Sequence, residues 1–381
     1  MSPPVQSAAA SPEPSPTTVA PSPTVAATPL PSPTDARPAS PPPTAAPAPA
    51  PGTPTLAHLI GQKLVVRMQG TTPSESLLAR VRAGEVGGVI LFGDNVVTAA
   101  QVRTLTATLQ GAARAGGRPP LLIATDQEGG TIKRIPWAPP TLSPPQMGSI
   151  GLTATARGQG LMTGRALLGL GIDCDLAPVA DVPSSPDSFM YQQGRTWSFD
   201  APLTSSLSNA FARGLRLAGV VPVMKHFPGI GTSSQDTDSN VVTLAAPASE
   251  LAAGLVPYQT AIARGVPMIM LSNATYAAYD PVNGAGWSRA IVRGLLRDQL
   301  GFRGVTITDS LSGTAKARGI PVSTLAVQAA IAGTDMILVT GSEASTQATF
   351  EAMLSAARSG QIPRTRLLAE YGRILRLKAT L

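Results

Sequence analysis

Residues 220–229 read VVPVMKHFPG: five apolar positions, then a lysine and a histidine, then a phenylalanine, a proline and a glycine. An apolar run this short suits a strand buried on both faces, and Lys225 and His226 come after it as polar groups unsuited to a core. The same arrangement recurs on either side of this segment. Short apolar or β-branched runs occupy Lys63–Arg67, Gly88–Phe92, Leu121–Thr125, Asp175–Ala180, Val220–Met224, Pro267–Leu271, Gly304–Thr308 and Asp335–Val339. Between them lie amphipathic stretches with helical spacing, among them Thr153–Leu170, Leu203–Leu217, Glu250–Arg264 and Ser288–Leu300. Eight strand–helix alternations predict an α/β chain closed into a (β/α)8 TIM-type barrel. A doubly wound open sheet would have fewer strands and a glycine-rich phosphate turn, and the sequence has no such turn.

The residues just past each strand carry the functional signal. Asp126 and Glu128 come after the third strand, Asp181 after the fourth, Lys225 and His226 after the fifth, Asn273 after the sixth and Asp309 after the seventh. In a barrel the C-terminal strand ends share one face, so these side chains are predicted to surround one pocket. Any one of them alone would pass for a turn residue or a helix cap; five strand ends together do not.

Composition divides the chain. Residues 1–54 hold 18 of the 38 prolines and three charged residues, Glu13, Asp35 and Arg37, so they are expected to form a disordered Pro/Ala/Ser/Thr-rich tether ahead of a globular domain at 55–381. A stalk of this kind suits a protein secreted or tethered outside the cytoplasm, with its export signal lying beyond this sequence. No run of eighteen apolar residues occurs, so no transmembrane span is expected. The net charge of +7 comes from scattered residues rather than an aromatic-interleaved stripe, which argues against nucleic acid as a partner. The one cysteine, Cys174, lies in an apolar run and reads as a buried structural thiol.

The ordered motifs Asp126-Gln-Glu-Gly-Gly130 with Arg134, Ala177-Pro-Val-Ala-Asp181, Gly194-Arg-Thr-Trp-Ser-Phe199, Lys225-His-Phe-Pro-Gly-Ile-Gly231, Gly301-Phe-Arg-Gly304 and Thr308-Asp-Ser-Leu311 resemble the single-domain, NagZ-like β-N-acetylhexosaminidases of glycoside hydrolase family 3. The resemblance runs from about Ile60 to Asp335. It implies a monomeric glycosidase without metal or organic cofactor, acting on an N-acetylglucosamine-containing oligosaccharide or cell-wall fragment. It further implies that Asp126, Arg134, Arg195, Lys225 and His226 hold the sugar and that Asp309 is the nucleophile of a retaining mechanism. Asp309 ends the apolar run Val305–Thr308, and Lys225 and Arg195 are expected to keep it ionised.

One position departs from the family pattern. The acid/base of this branch is a histidine in an Asp-Ser-His motif, and the corresponding residues here are Asp236-Thr237-Asp238. The only imidazoles are His58 and His226, with His58 in a helix-like stretch before the first strand. If Asp236 and Asp238 face each other on a turn, their repulsion would raise one carboxyl into the range of a general acid, making Asp238 the replacement. Ser310 and Asn273 stand where relatives often carry an aspartate and a histidine. The alternatives are a catalytically impaired sugar-binding or wall-associated protein on the same fold, and a glycosidase of changed specificity.

Overall fold

Successive side chains of a strand point to opposite sides of a sheet, and along Leu64–Arg67 both sides are buried. Leu64 and Val66 pack outward into a large cluster with the helices, while Val65 points inward to meet Ile90, Leu122, Val223, Met268 and Leu338. Two apolar faces on one strand explain the continuous hydrophobic runs. The computed structural model describes residues 53–381. The tether expected at 1–54 therefore lies outside the described residues, apart from its last two positions.

Eight parallel strands form the sheet: β1 (Leu64–Arg67), β2 (Gly88–Leu91), β3 (Leu122–Thr125), β4 (Cys174–Asp175), β5 (Val221–Phe227), β6 (Met268–Leu271), β7 (Val305–Thr308) and β8 (Ile337–Val339). Each pairs with the next in sequence through β7, and β8 returns to β1 with Leu64 opposite Ile337. A single bridge between Ile307 and Met336 closes the ring: Met336 N donates to Thr306 O at 2.8 Å and Thr308 N to Met336 O at 3.1 Å. The expected TIM-type barrel is present. The last helix, Arg364–Lys378, sends Ile374 and Leu377 into the inward-facing cluster, and Lys378 Nζ donates to Gly87 O and to Gln62 Oε1, at 2.6 Å each.

Two expectations need correction. The apolar pattern puts the fourth strand at Asp175–Ala180, but regular pairing stops at Asp175 and resumes only as a bridge at Val179, because Pro178 has no N–H to give to a ladder. The fifth strand runs past Met224 to Phe227, so Lys225 and His226 sit on the strand itself. The helical stretches form at Thr153–Leu168, Ala201–Leu217 and Ala248–Ala263, and Ala290–Gln299 is wound as a π-helix. Cys174 is fully buried, and that burial pushes its thiol up.

The helices Thr153–Leu168 and Ala201–Leu217 pack through reciprocal glycines. A Cβ on Gly160 would lie 2.2 Å from Phe211 O, and one on Gly214 would lie 2.2 Å from Arg157 O, so each backbone occupies the space a side chain would need. Gly160→Ala is therefore expected to lower stability by about 1–3 kcal/mol, since the obstructing atom is rigid backbone. Thermal denaturation beside the control Gly158→Ala on the same helix, half-buried but with nothing within 4 Å of the added Cβ, checks this.

Candidate active site

At the C-terminal mouth of the barrel lies a pocket of about 250 Å³. A larger groove, about 650 Å³, lies outside the barrel between helices Ala201–Leu217 and Ala248–Ala263, but no carboxylate or imidazole lines it. The mouth is the candidate site because titratable groups from several strands converge there.

Its floor is a chain of alternating charges. Glu128 is buried and accepts from Arg195 at two points, Nε to Oε2 at 2.9 Å and Nη2 to Oε1 at 2.7 Å. Lys225 Nζ lies 2.7 Å from Glu128 Oε1 and donates to Asp126 Oδ1 at 2.8 Å, and Arg134 Nη2 is 3.6 Å from Asp126 Oδ2. Burial alone would raise the Glu128 carboxyl, but the charges and hydrogen bonds of Arg195 and Lys225 outweigh it and hold the group down at about 2. Burial likewise works against the charged form of Lys225, and Asp126 and Glu128 reverse that, leaving the ammonium firmly protonated.

Local structure aims each member. Gln127–Gly129 and Ile132–Lys133 form a small antiparallel hairpin directly after β3, which brings Arg134 back over Asp126, where its N–H donates to Asp126 O at 3.1 Å. The Arg134 guanidinium sits 5.4 Å from the centre of the Phe92 ring at the end of β2. Arg195 comes after the short helix Phe189–Gln192 and is tied to it by its N–H to Met190 O at 3.1 Å.

His226 is oriented from behind. Its Nδ1 is 2.7 Å from Asp181 Oδ2, and Asp181 Oδ1 accepts from Ile230 N at 2.8 Å. A carboxylate only accepts, so Nδ1 carries the hydrogen and Nε2 faces the pocket, 3.9 Å from Asp309 Oδ2. Asp309 is fixed at the end of β7: its N–H donates to Leu271 O and its Oδ1 accepts from Ser310 N, at 2.8 Å each. Lys225 and Arg195, expected to keep Asp309 ionised, make their ion pairs with Asp126 and Glu128, and the His226 ring stands nearer to Asp309.

Across the pocket stands the segment after β5. Asp236 does not face Asp238 carboxyl to carboxyl. Its Oδ1 accepts from Asp238 N at 3.0 Å and its Oδ2 from Ser239 Oγ at 2.7 Å, an Asx-type turn that shapes the loop. Asp238 reaches the pocket, and its Oδ1 accepts from Asn273 Nδ2 at 3.1 Å. Its carboxyl is raised to about 8, first by the surrounding protein, then by the charge of Asp309 and only third by Asp236, while the Asn273 hydrogen bond opposes the rise. The residue keeps an exposed edge at the rim, where water weakens the first effect; the repulsion from Asp309 across the pocket acts in the same upward direction.

The structure thus brings Asp126, Arg134, Arg195, Lys225, His226, Asp236, Asp238 and Asp309 to one cavity. Three residues to which the sequence alone assigns no role are structurally central: Glu128, Asp181 and Asn273. All are visible in the sequence as strand-end polar residues, but the partners that give them their roles are 67, 45 and 35 residues away.

Comparison with known proteins gives the family. Residues 55–377 match the profile described as "Glycosyl hydrolase family 3 N terminal domain". The chain belongs to glycosyl hydrolase family 3 and is a glycosidase. It is 34% identical over 333 residues to an uncharacterized secreted glycosyl hydrolase of Arthroderma benhamiae, covering 86% of this chain and 94% of that one. It is 34% identical over 284 residues to a beta-hexosaminidase of Nitrosomonas eutropha, covering 72% and 80%. Among solved structures, the beta-N-acetylhexosaminidase of Beutenbergia cavernae superposes with a TM-score of 0.79 at 30% identity, covering 86% of this chain and 99% of that one. A family 3 beta-N-acetylglucosaminidase of Paenibacillus sp. str. FPU-7 gives 0.82 at 32% identity over 86% of this chain, which spans 63% of the Paenibacillus chain.

The buried carboxylate sets an acid limit. Glu128 is held below its ordinary value of 4.5, so its contribution to stability is complete above that pH and is lost as pH falls through about 2. Glu128→Gln is expected to cost about 3 kcal/mol at neutral pH and to flatten the acid side of the stability profile. Denaturant titrations at a series of pH values test both effects.

Proposed function

We propose that the protein is a retaining β-N-acetylglucosaminidase in which Asp309 is the nucleophile and Asp238 replaces the customary histidine as acid/base. The observation that carries the proposal is the opposition of two carboxyls across one pocket: Asp309 rigidly mounted on β7, and Asp238 on a loop with its proton held up to about 8. A retaining glycosidase needs such a pair in different protonation states. Asp309 attacks the anomeric carbon as Asp238 gives its proton to the departing glycosidic oxygen. Asp238 then takes a proton from water, which displaces Asp309 and restores the configuration.

Asp126, Arg134, Arg195, Lys225 and His226 hold the sugar, offering charged donors and acceptors whose geometry is set before substrate arrives. The substrate class is an N-acetylglucosamine-containing oligosaccharide or cell-wall fragment, supported by the named activities of the Nitrosomonas, Beutenbergia and Paenibacillus proteins. An extracytoplasmic location is supported by the "secreted" description of the Arthroderma relative. Among the described residues no helix is long and apolar enough to cross a membrane. Cell fractionation that recovers the native protein only from the cytosol would overturn the location.

A second reading, a sugar-binding protein without turnover, is motivated by the aspartate at position 238 alone. The two separate on a chromogenic N-acetyl-β-glucosaminide. Turnover is expected, with Asp309→Asn abolishing it while leaving N-acetylglucosamine affinity within about tenfold. Because Asp238 must be protonated to act, turnover of substrates with poor leaving groups is expected to fall as pH rises through about 8. Asp238→Ala is expected to slow those substrates by about 100- to 10,000-fold and to remove that limb, while sparing activated aryl glycosides. Sugar binding with no turnover at any pH would leave only the second reading.

A further inference from the structure

The side chain of Asn273 has no part in the chemistry proposed above, yet it joins the Asp238 carboxyl to the backbone beside Asp309. We infer that Asn273 and Gly313 form a latch that seats the Asp238 loop against the strand bearing Asp309, making Asn273 a positioning residue for the acid/base. This inference rests on the assignment of Asp238 as acid/base.

Asn273 is buried, and its Nδ2 donates both to Asp238 Oδ1 at 3.1 Å and to Ser310 O at 2.9 Å. Ser310 is the neighbour of Asp309, so one amide group ties the loop carboxyl to the nucleophile's own backbone. An amide nitrogen has two hydrogens, and here both are used across the pocket. The buried Asn273 Oδ1 has no partner among the described residues. An orphaned buried acceptor costs about 1–3 kcal/mol, so a role confined to stability accounts poorly for this residue.

The second half of the latch is steric. A Cβ at Gly313 would lie 2.4 Å from Asp238 O and 3.2 Å from Asp238 C, so the loop backbone rests directly on the helix Leu311–Ala317 that comes after Asp309. The stems of the loop are also fixed. Phe189 N donates to Ser233 O at 2.8 Å on one side. On the other, Thr243–Leu244 pairs with Thr275–Tyr276, beginning two residues after Asn273. With both stems held, the remaining freedom is at the tip, and the tip is where Asn273 and Gly313 make contact. An aspartate is shorter than a histidine, so a carboxyl at this position needs the loop held down to reach a glycosidic oxygen; misplacement by about 1 Å can cost about 100-fold in rate.

The test compares Asn273→Ala, Gly313→Ala and Asp238→Ala with the unaltered protein on two N-acetyl-β-glucosaminides, one with an activated dinitrophenyl leaving group and one with an alkyl or saccharide leaving group. Asn273→Ala removes the amide, and Gly313→Ala pushes on the Asp238 backbone and lifts the loop without removing any hydrogen-bonding side chain. Both are expected to lower kcat/KM about 10- to 100-fold on the poor leaving group and less than about threefold on the activated one, with N-acetylglucosamine affinity unchanged. That split separates acid positioning from general damage, which would lower both substrates together and would itself overturn the inference. If Asp238→Ala shows the split and the two latch variants show none, the latch is wrong and the acid/base assignment stands. If Asp238→Ala shows no split, the acid/base assignment fails and the latch falls with it.

Discussion

A carboxylate with almost no access to water, Glu128, is the constraint on which the site depends. Removing such a charge from solvent costs several kcal/mol unless it is paired and hydrogen-bonded, and the pairing must be close. Arg195 and Lys225 supply it from two other parts of the chain. The ends of β3 and β5 and the turn after Phe189–Gln192 are thereby held in register. Asp126 and Arg134 extend the same chain of charges to the rim, so the charged groups that line the pocket are those the fold already needs for its own electrostatics.

A second set of contacts surrounds Asp309 and Asp238. Asp181 orients His226 from below, and His226 presents its other nitrogen toward Asp309. On the opposite side the loop residue Asp236 spends its carboxylate on shaping a turn, leaving Asp238 as the carboxyl that enters the pocket. Burial first, and then the charge of Asp309, raise the loop carboxyl, while Asp309 is braced by a backbone N–H. A carboxyl under these conditions is compatible with acid/base work, because the environment rather than the residue type sets the proton affinity.

The barrel is legible in the sequence because its signal is local and repeated. A strand buried on both faces must be apolar along its whole length, and a polar residue right after it marks the solvent-facing end. Strand boundaries are less legible. Pro178 interrupts pairing after Asp175, and β5 carries its ladder through two polar residues that look like a loop, since the partners that keep Lys225 and His226 in the wall come from β3 and β4.

Sequence by itself determined the fold class, the face on which the polar groups gather, and the identity of most of them, because periodicity and strand-end chemistry need no knowledge of distant neighbours. Tertiary structure alone decided which charges neutralise one another. Lys225 and Arg195 were free to be counter-ions of Asp309 until Glu128, buried beside both, took them. It also decided that Asn273 meets Asp238. Electrostatic and hydrogen-bond partnership depends on ångström distances between residues 35 to 99 positions apart, and no pattern along the chain encodes those distances.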